Sequence, residues 1–320
     1  MRRPLAALFV AMCLGLAGCA APTEISQTTG VEFGADQRDL SALEVGPSAV
    51  PAPPLGSFVR WRAMEHVRKL ADDIGSRVRA RGGELRGAQY IAERFRDLGY
   101  NVRIQRFDVD GGTSRNVVAW WPDSLRYPVI LGGHMDTVPG APGANDNASG
   151  VAVLLETARL VAGHPKARYV RFVAFGSEEY GTDGRHHVGS QVFVNRLGPR
   201  GRNRLAGAIS VDMVAAGRPL LVGTSGIGPA VVARALFRKI DNAGIAVDYR
   251  TLCDCSDNGP FEHAGIPASF MWSGPQPCCY HSPDDTVPNM EPNDLERSGR
   301  ALRAFVGQLT RSMIDRFRQR

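Results

Sequence analysis

Gly-Gly-His-Met-Asp-Thr-Val-Pro-Gly-Ala-Pro-Gly-Ala-Asn-Asp-Asn-Ala-Ser-Gly, residues 132–150, decides how this chain is read. It carries His134, Asp136 and Asp146 in one loop. An apolar run from Tyr127 to Leu131 precedes it, and an apolar helical pattern starts at Val151. The run predicts a buried strand and the pattern a helix, so the three polar groups stand where a strand ends and a helix begins. In open α/β sheets, ligands bind at such carboxyl ends. An imidazole with two carboxylates suits zinc or a similar divalent ion.

Outward from this loop the same alternation continues. Residues 58–72 and 84–98 read as helices; in the second, Leu85, Ala88, Ile91, Ala92, Phe95 and Leu98 keep one face apolar and Gly99 stops it. Val102–Val109 and Arg115–Trp120 read as strands around an Asp110-Gly111-Gly112 turn. Val151–Val161 and Ala230–Ala243 read as helices, and Leu295 to about Phe317 as a closing helix. Tyr169–Phe175, Ala206–Val211 and Ala268–Trp272 read as further strands. Such alternation predicts one large α/β domain over residues 58–320, long enough for a substantial core.

The polar residues fall into line on that frame. His134 follows one strand, Glu178 and Glu179 a second, Asp212 a third, and His281 lies in the loop after a fourth. Asp146 opens the Val151 helix, where a carboxylate suits the helix N-terminus. In His134-x-Asp136 the carboxylate two residues on is placed to accept the second ring N–H and so to fix the tautomer. A lone His, a Glu-Glu pair or a strand-ending Asp means little; in this order they read as one constellation.

Here the chain resembles the co-catalytic di-zinc aminopeptidase family, which includes bacterial secreted aminopeptidases, vacuolar aminopeptidase and the glutamate carboxypeptidases. The resemblance runs from about Phe58 to the C-terminus. It rests on His134-Met135-Asp136, Gly143 to Gly150, Phe175-Gly176-Ser177-Glu178-Glu179, Val211-Asp212-Met213, Tyr280-His281-Ser282 and Asp285-Thr286. It implies a single domain with a mixed, mostly parallel, twisted sheet and helices on both faces. It implies two zinc ions, replaceable by Co2+ or Mn2+: His134 and Asp212 on one, Glu179 and His281 on the other, Asp146 bridging. Glu178 would be the general base, and Tyr280 would offer its hydroxyl to the oxyanion. A cis peptide would follow the bridging Asp, at Asp146–Asn147. Two nearby cations make water a nucleophile at neutral pH and polarise the scissile carbonyl. The implied activity is a zinc exopeptidase on peptide substrates, an aminopeptidase first, with a carboxypeptidase or dipeptidase as the alternative.

The chain departs from the family at Ser256-Asp257-Asn258-Gly259-Pro260-Phe261, where many relatives have Ser-Asp-His, and at Met213-Val214-Ala215-Ala216-Gly217. Both bear on pocket walls and hence on specificity. His66, His164, His186, His187 and His263 have no matching role; His186-His187 is read at most as a substrate-loop contact.

The first residues read as a targeting segment: Arg2 and Arg3, an apolar core from Leu5 to Leu16, then Leu16-Ala17-Gly18-Cys19. This resembles a bacterial lipoprotein signal over residues 1–18, with Cys19 the lipidated N-terminus and residues 19–57 a Pro-rich tether. Lipid chains anchor without spanning. Ala20 after Cys19 favours the outer membrane in a cell that has two. An exported chain sits where disulfides form. Cys253, Cys255, Cys278 and Cys279 allow three connectivities, and we expect a disulfide to join or stiffen these loops. The net charge is +6, nearly all of it from Arg, with no basic run or interleaved aromatics. A nucleic-acid partner is therefore not expected.

Rival readings differ in class. A related peptidase and deacylase family inserts a dimerisation domain before the last His, but only 68 residues separate Asp212 from His281. A single-zinc cyclase would lack part of the ligand set. A catalytically inactive binding domain on the membrane surface would usually have lost ligands.

Overall fold

A computed structural model describes residues 53–251, 253–274 and 279–319. The signal segment, Cys19, most of the tether and Cys278 lie outside the described residues.

The elements run α1 (Arg60–Arg68), α2 (Gly82–Asp97), β1 (Asn101–Val109), β2 (Gly112–Trp120), β3 (Val129–His134), α3 (Gly150–Val161) and β4 (Val170–Phe175). They continue with α4 (Val188–Arg202), β5 (Gly207–Val211), β6 (Leu220–Thr224), α5 (Val231–Asp241), β7 (Val247–Thr251), α6 (Asn258–His263), β8 (Ala268–Ser273), α7 (Pro292–Gly307) and α8 (Arg311–Arg318). The strands form one eight-stranded sheet in the order β1-β2-β4-β3-β5-β8-β6-β7. β4, β3, β5 and β8 are mutually parallel neighbours, while β2 joins β4, and β6 joins β8, in antiparallel fashion. The mixed, mostly parallel α/β architecture is therefore present.

The pleat sends alternate residues to two cores. Val129 and Leu131 of β3 pack with Phe172 of β4 and Ile209 of β5 among side chains of α1, α2, α3, α5, α7 and α8. Their neighbours Ile130, Val173 and Ala208 pack on the opposite face with Phe193 of α4 and Phe261 of α6. Strands covered on both sides must be apolar throughout, and β3 and β5 are buried at every position.

Several elements differ from the sequence reading. Helix α4 went unread because Gly189, Gly198 and Pro199 weaken its pattern, and the backbone kinks at Gly198. β6 and β7 are five residues each and lie beyond β8 toward the sheet edge, too short for a periodic signal. The closing helix is two helices. α7 ends at Gly307, and Thr310 caps α8 by accepting a hydrogen bond from the Met313 N–H at 3.2 Å. Packing reaches back to Leu55, which is buried, and the Arg303 guanidinium donates to the carbonyls of Leu55 and Gly56.

The connections place the site. The chain leaves β3 for β4 on one side, then crosses back to β5 on the other side of β3. The crevice at this reversal opens at the carboxyl ends of β3, β4 and β5. Close packing there needs glycine. A Cβ on Gly150 would lie 2.2 Å from the Val211 carbonyl oxygen and 2.4 Å from Asn147 Oδ1. Gly150→Ala is expected to lower stability by about 3 kcal/mol, read as a lower urea midpoint at unchanged m-value. An unchanged midpoint would mean that β5 and α3 separate more easily than this packing implies.

Candidate metal centre

Strand ends deliver the chemistry. His134 is the last residue of β3, in register with Phe175 at the end of β4. Glu178 and Glu179 follow β4, Asp212 follows β5, and His281 lies in the loop after β8. Asp146 comes from the β3–α3 loop, beside a cis Asp146–Asn147 peptide. All six come together.

His134 Nε2 stands 3.1 Å from Asp146 Oδ1 and 3.2 Å from Asp212 Oδ1. His281 Nε2 stands 3.0 Å from Glu179 Oε2 and 3.3 Å from Asp146 Oδ2. The two oxygens of Asp146 thus face different imidazoles. Among the described residues, ligand atoms cluster closely enough to hold a cation in three groups: His134 with Asp146 and Asp212, Asp146 with Glu179 and His281, and His134 with Glu178 and Glu179. The first two share only Asp146.

The electrostatics call for cations. Burial pushes the Glu178 carboxyl well up, and burial with the nearby Asp146 charge raises Glu179 to about 7. Burial would lower both imidazoles. Yet Asp212 and Glu178 hold His134 well above its ordinary value, and hydrogen bonds that His281 donates to Asp146 and Glu179 raise it to about 10. Against its burial, Asp146 is held below the usual carboxylate range by hydrogen bonds from His134 and His281. Protons are drawn in because four carboxylates crowd two neutral imidazoles. Metal ions would supply that positive charge instead. Glu179 Oε1 is buried with no hydrogen-bond partner, a donor atom awaiting an acceptor of its lone pairs. The donor set, nitrogen and oxygen only, fits zinc, Mn2+ or Co2+.

The surroundings hold these groups in place. Asp285 accepts from the Asn145 N–H at 2.8 Å and the Asp146 N–H at 2.9 Å, fixing the shared carboxylate's loop. Ser256 Oγ donates to Asp212 Oδ2 at 2.8 Å. Arg77, wholly buried, donates to the carbonyls of Met135, Pro142 and Gly143 and so clamps the loop from below. Arg79 donates to the Glu179 carbonyl at 2.8 Å and pairs with Asp110.

The expectation for Asp136 is corrected in one respect. Its carboxylate lies 3.8 Å from His134 Nδ1, and the nearer acceptor is its own main-chain carbonyl at 3.2 Å. The carboxylate is engaged elsewhere: Oδ1 accepts the Glu178 N–H at 3.0 Å and Oδ2 the Glu179 N–H at 3.2 Å. It thereby sets the turn that carries both glutamates. Tyr280 is exposed and stacks on His281, ring centroids 3.6 Å apart, so its ring covers that ligand. Cys253 and Cys255 form a disulfide, which stiffens one loop near the site.

The sequence reading gave His187 at most a substrate-loop contact; its Nε2 stands 3.0 Å from Glu178 Oε1. It also gave no role to Arg77. Neither has a spacing signal: the loop from Tyr180 to His187 separates His187 from Glu178, and Arg77 precedes the motif by more than fifty residues.

The comparisons with known proteins agree with this geometry. The chain is 28% identical over 293 residues to leupeptin-inactivating enzyme 1 of Streptomyces exfoliatus, covering 82% of this chain and 65% of that protein. It is 31% identical over 178 residues to a probable lipoprotein aminopeptidase, LpqL, of Mycobacterium tuberculosis, covering 50% of this chain and 35% of that one. It thus spans less than two thirds of either relative. The zinc aminopeptidase BSAP from Bacillus subtilis shares the fold, with a TM-score of 0.72 at 19% identity over 78% of this chain and 94% of that one. Residues 116–306 match the model of peptidase family M28, and the chain belongs to that family.

Proposed function

We propose that this protein is a di-zinc exopeptidase, acting as an aminopeptidase on unblocked peptides. The observation that carries the reading is the shared Asp146: two donor groups meet at one carboxylate, and Glu178 stands beside them without being needed in either. His134 and Asp212 would hold one ion, Glu179 and His281 the other, with Asp146 between. The ions would supply Lewis acidity toward the scissile carbonyl and lower the pKa of water. The chain's own groups do the rest. Glu178, buried beside the two donor groups, would take a proton from the attacking water and return it to the leaving amine. Asp136 keeps the main chain of Glu178 and Glu179 in place through the turn. Tyr280, whose ring stacks on His281, would donate its hydroxyl to the developing oxyanion. The BSAP and LpqL names support the aminopeptidase direction.

The lipoprotein reading belongs to the same proposal. Cys19 carries the lipid, residues 19–57 are the tether, and the enzyme is exported and held at a bacterial membrane, the outer one in a cell with two. The name of the LpqL relative supports this. Among the described residues no helix is long and apolar enough to cross a membrane.

The test uses zinc-loaded protein, one unblocked peptide and its N-acetylated twin, with products followed by mass spectrometry. Stepwise release from the start of the unblocked peptide alone is expected. Trimming of both from the C-terminal end would make it a carboxypeptidase. No cleavage of either would leave a narrow dipeptide or non-peptide amide substrate, or a membrane-surface binding domain.

A further inference from the structure

We propose that His187 is a positioning residue for Glu178, holding one oxygen of that carboxylate so that the other faces the ligand cluster. This rests on the peptidase reading and deepens it. His187 Nε2 stands 3.0 Å from Glu178 Oε1, while Glu178 Oε2 lies 4.0 Å from His134 Nε2. The carboxylate therefore reaches between one imidazole of the ligand cluster and one imidazole outside it. His187 belongs to none of the donor groups able to hold a cation.

The contact is built in at the main chain as well. The His187 N–H donates to the Glu178 carbonyl at 2.7 Å, and the Val188 N–H to the Ser177 carbonyl at 2.9 Å. These two bonds close the loop of residues 178–187 and bring ring and carboxylate together from both ends. His187 adopts a left-handed backbone, φ 54°, uncommon for a residue bearing a side chain. The ring is buried and packs edge-on against His186, with centroids 4.0 Å apart. A carboxylate can only accept, so the His187 Nε2–H is the donor that holds Glu178 Oε1.

What holds the ring is the disulfide loop. His187 hydrogen-bonds the main chain of Cys255. Cys255 is tied to Cys253, whose carbonyl accepts from Ser225 Oγ at 3.2 Å. Asp254, between them, pairs with His263 at 2.7 Å. The base is thus braced by a loop that contributes no metal ligand. A general base works only within hydrogen-bond reach of its proton, and a displacement of about 1 Å costs up to about 100-fold in rate.

The experiment uses the zinc-loaded protein and the unblocked peptide. His187→Ala and His187→Leu are expected to lower kcat about tenfold, with KM within a factor of two and two metal ions still bound. His187→Gln, which reaches equally far with a donor and an acceptor, is expected to recover most of the loss. Should His187→Ala fail to fold, His187→Leu, which fills the space, decides. The Cys253→Ser/Cys255→Ser double variant is expected to lower kcat alone but to add little in the His187→Ala background. Unchanged kcat in both His187 variants, loss of metal with the activity, or full additivity with the cysteine changes would each overturn the proposal. An inactive wild type would overturn the peptidase reading instead.

Discussion

Glu178→Ala is expected to keep both metal ions and to lose turnover by about 1,000-fold or more. The two halves of that result have separate causes. Retention follows because the group of His134, Asp146 and Asp212 and the group of Asp146, Glu179 and His281 are each complete without Glu178. Loss of turnover follows because the two groups in closest contact with Glu178 and its turn are not free to replace it. His187 is neutral and faces the far oxygen of Glu178, and Asp136 is occupied by two main-chain N–H groups. General-base catalysis contributes about 100- to 10,000-fold, and this base also returns the proton to the leaving amine. Metal content by mass spectrometry and kcat on the unblocked peptide read the two halves independently. Metal falling in step with kcat would show that Glu178 is itself a ligand and that the roles of the two glutamates are misassigned.

Asp146→Ala is expected to strip the centre. Asp146 alone belongs to both complete donor groups, and its two oxygens face His134 and His281 separately. Its loss leaves each ion with two protein ligands and removes the charge that keeps them close together. Changing an outer partner of a metal ligand already weakens binding by about 10- to 100-fold, so loss of the shared ligand should exceed that range. The metal content after dialysis should fall from two ions to fewer than one, and activity should vanish at micromolar zinc. Asp212→Ala, by contrast, should cost chiefly the ion held with His134. Two tightly held ions in Asp146→Ala would show that this carboxylate does not bridge.

Much of the proposed site was legible because His134, Glu178, Glu179 and Asp212 end or closely follow apolar strand runs, whereas Asp146 and His281 lie farther out in loops. His134, Glu179 and Asp212 sit at the carboxyl ends of β3, β4 and β5, and a strand buried on both faces writes itself as an uninterrupted apolar stretch. Local pattern and site position coincide, so reading the strands finds the ligands. Asp285 and Ser256 stood in the quoted motifs, but their tasks, capping the Asp146 loop and gripping Asp212, appear only in three dimensions. The edge of the sheet was harder. β7 buries none of its residues fully and lacks the apolar run of the centre, and α6, with Asn258, Gly259 and Pro260, reads as a turn.

Sequence alone determined the α/β class, the strands that carry chemistry and the identity of six converging polar residues, because these depend on period and on what lies next along the chain. Tertiary structure alone decided the strand order, the capture of the Glu178–Glu179 turn by the Asp136 carboxylate, the Arg77 clamp and the pairing of His187 with Glu178. Those depend on loops that bring distant residues face to face. A closed loop can set a histidine on a carboxylate with no periodicity along the chain to announce it.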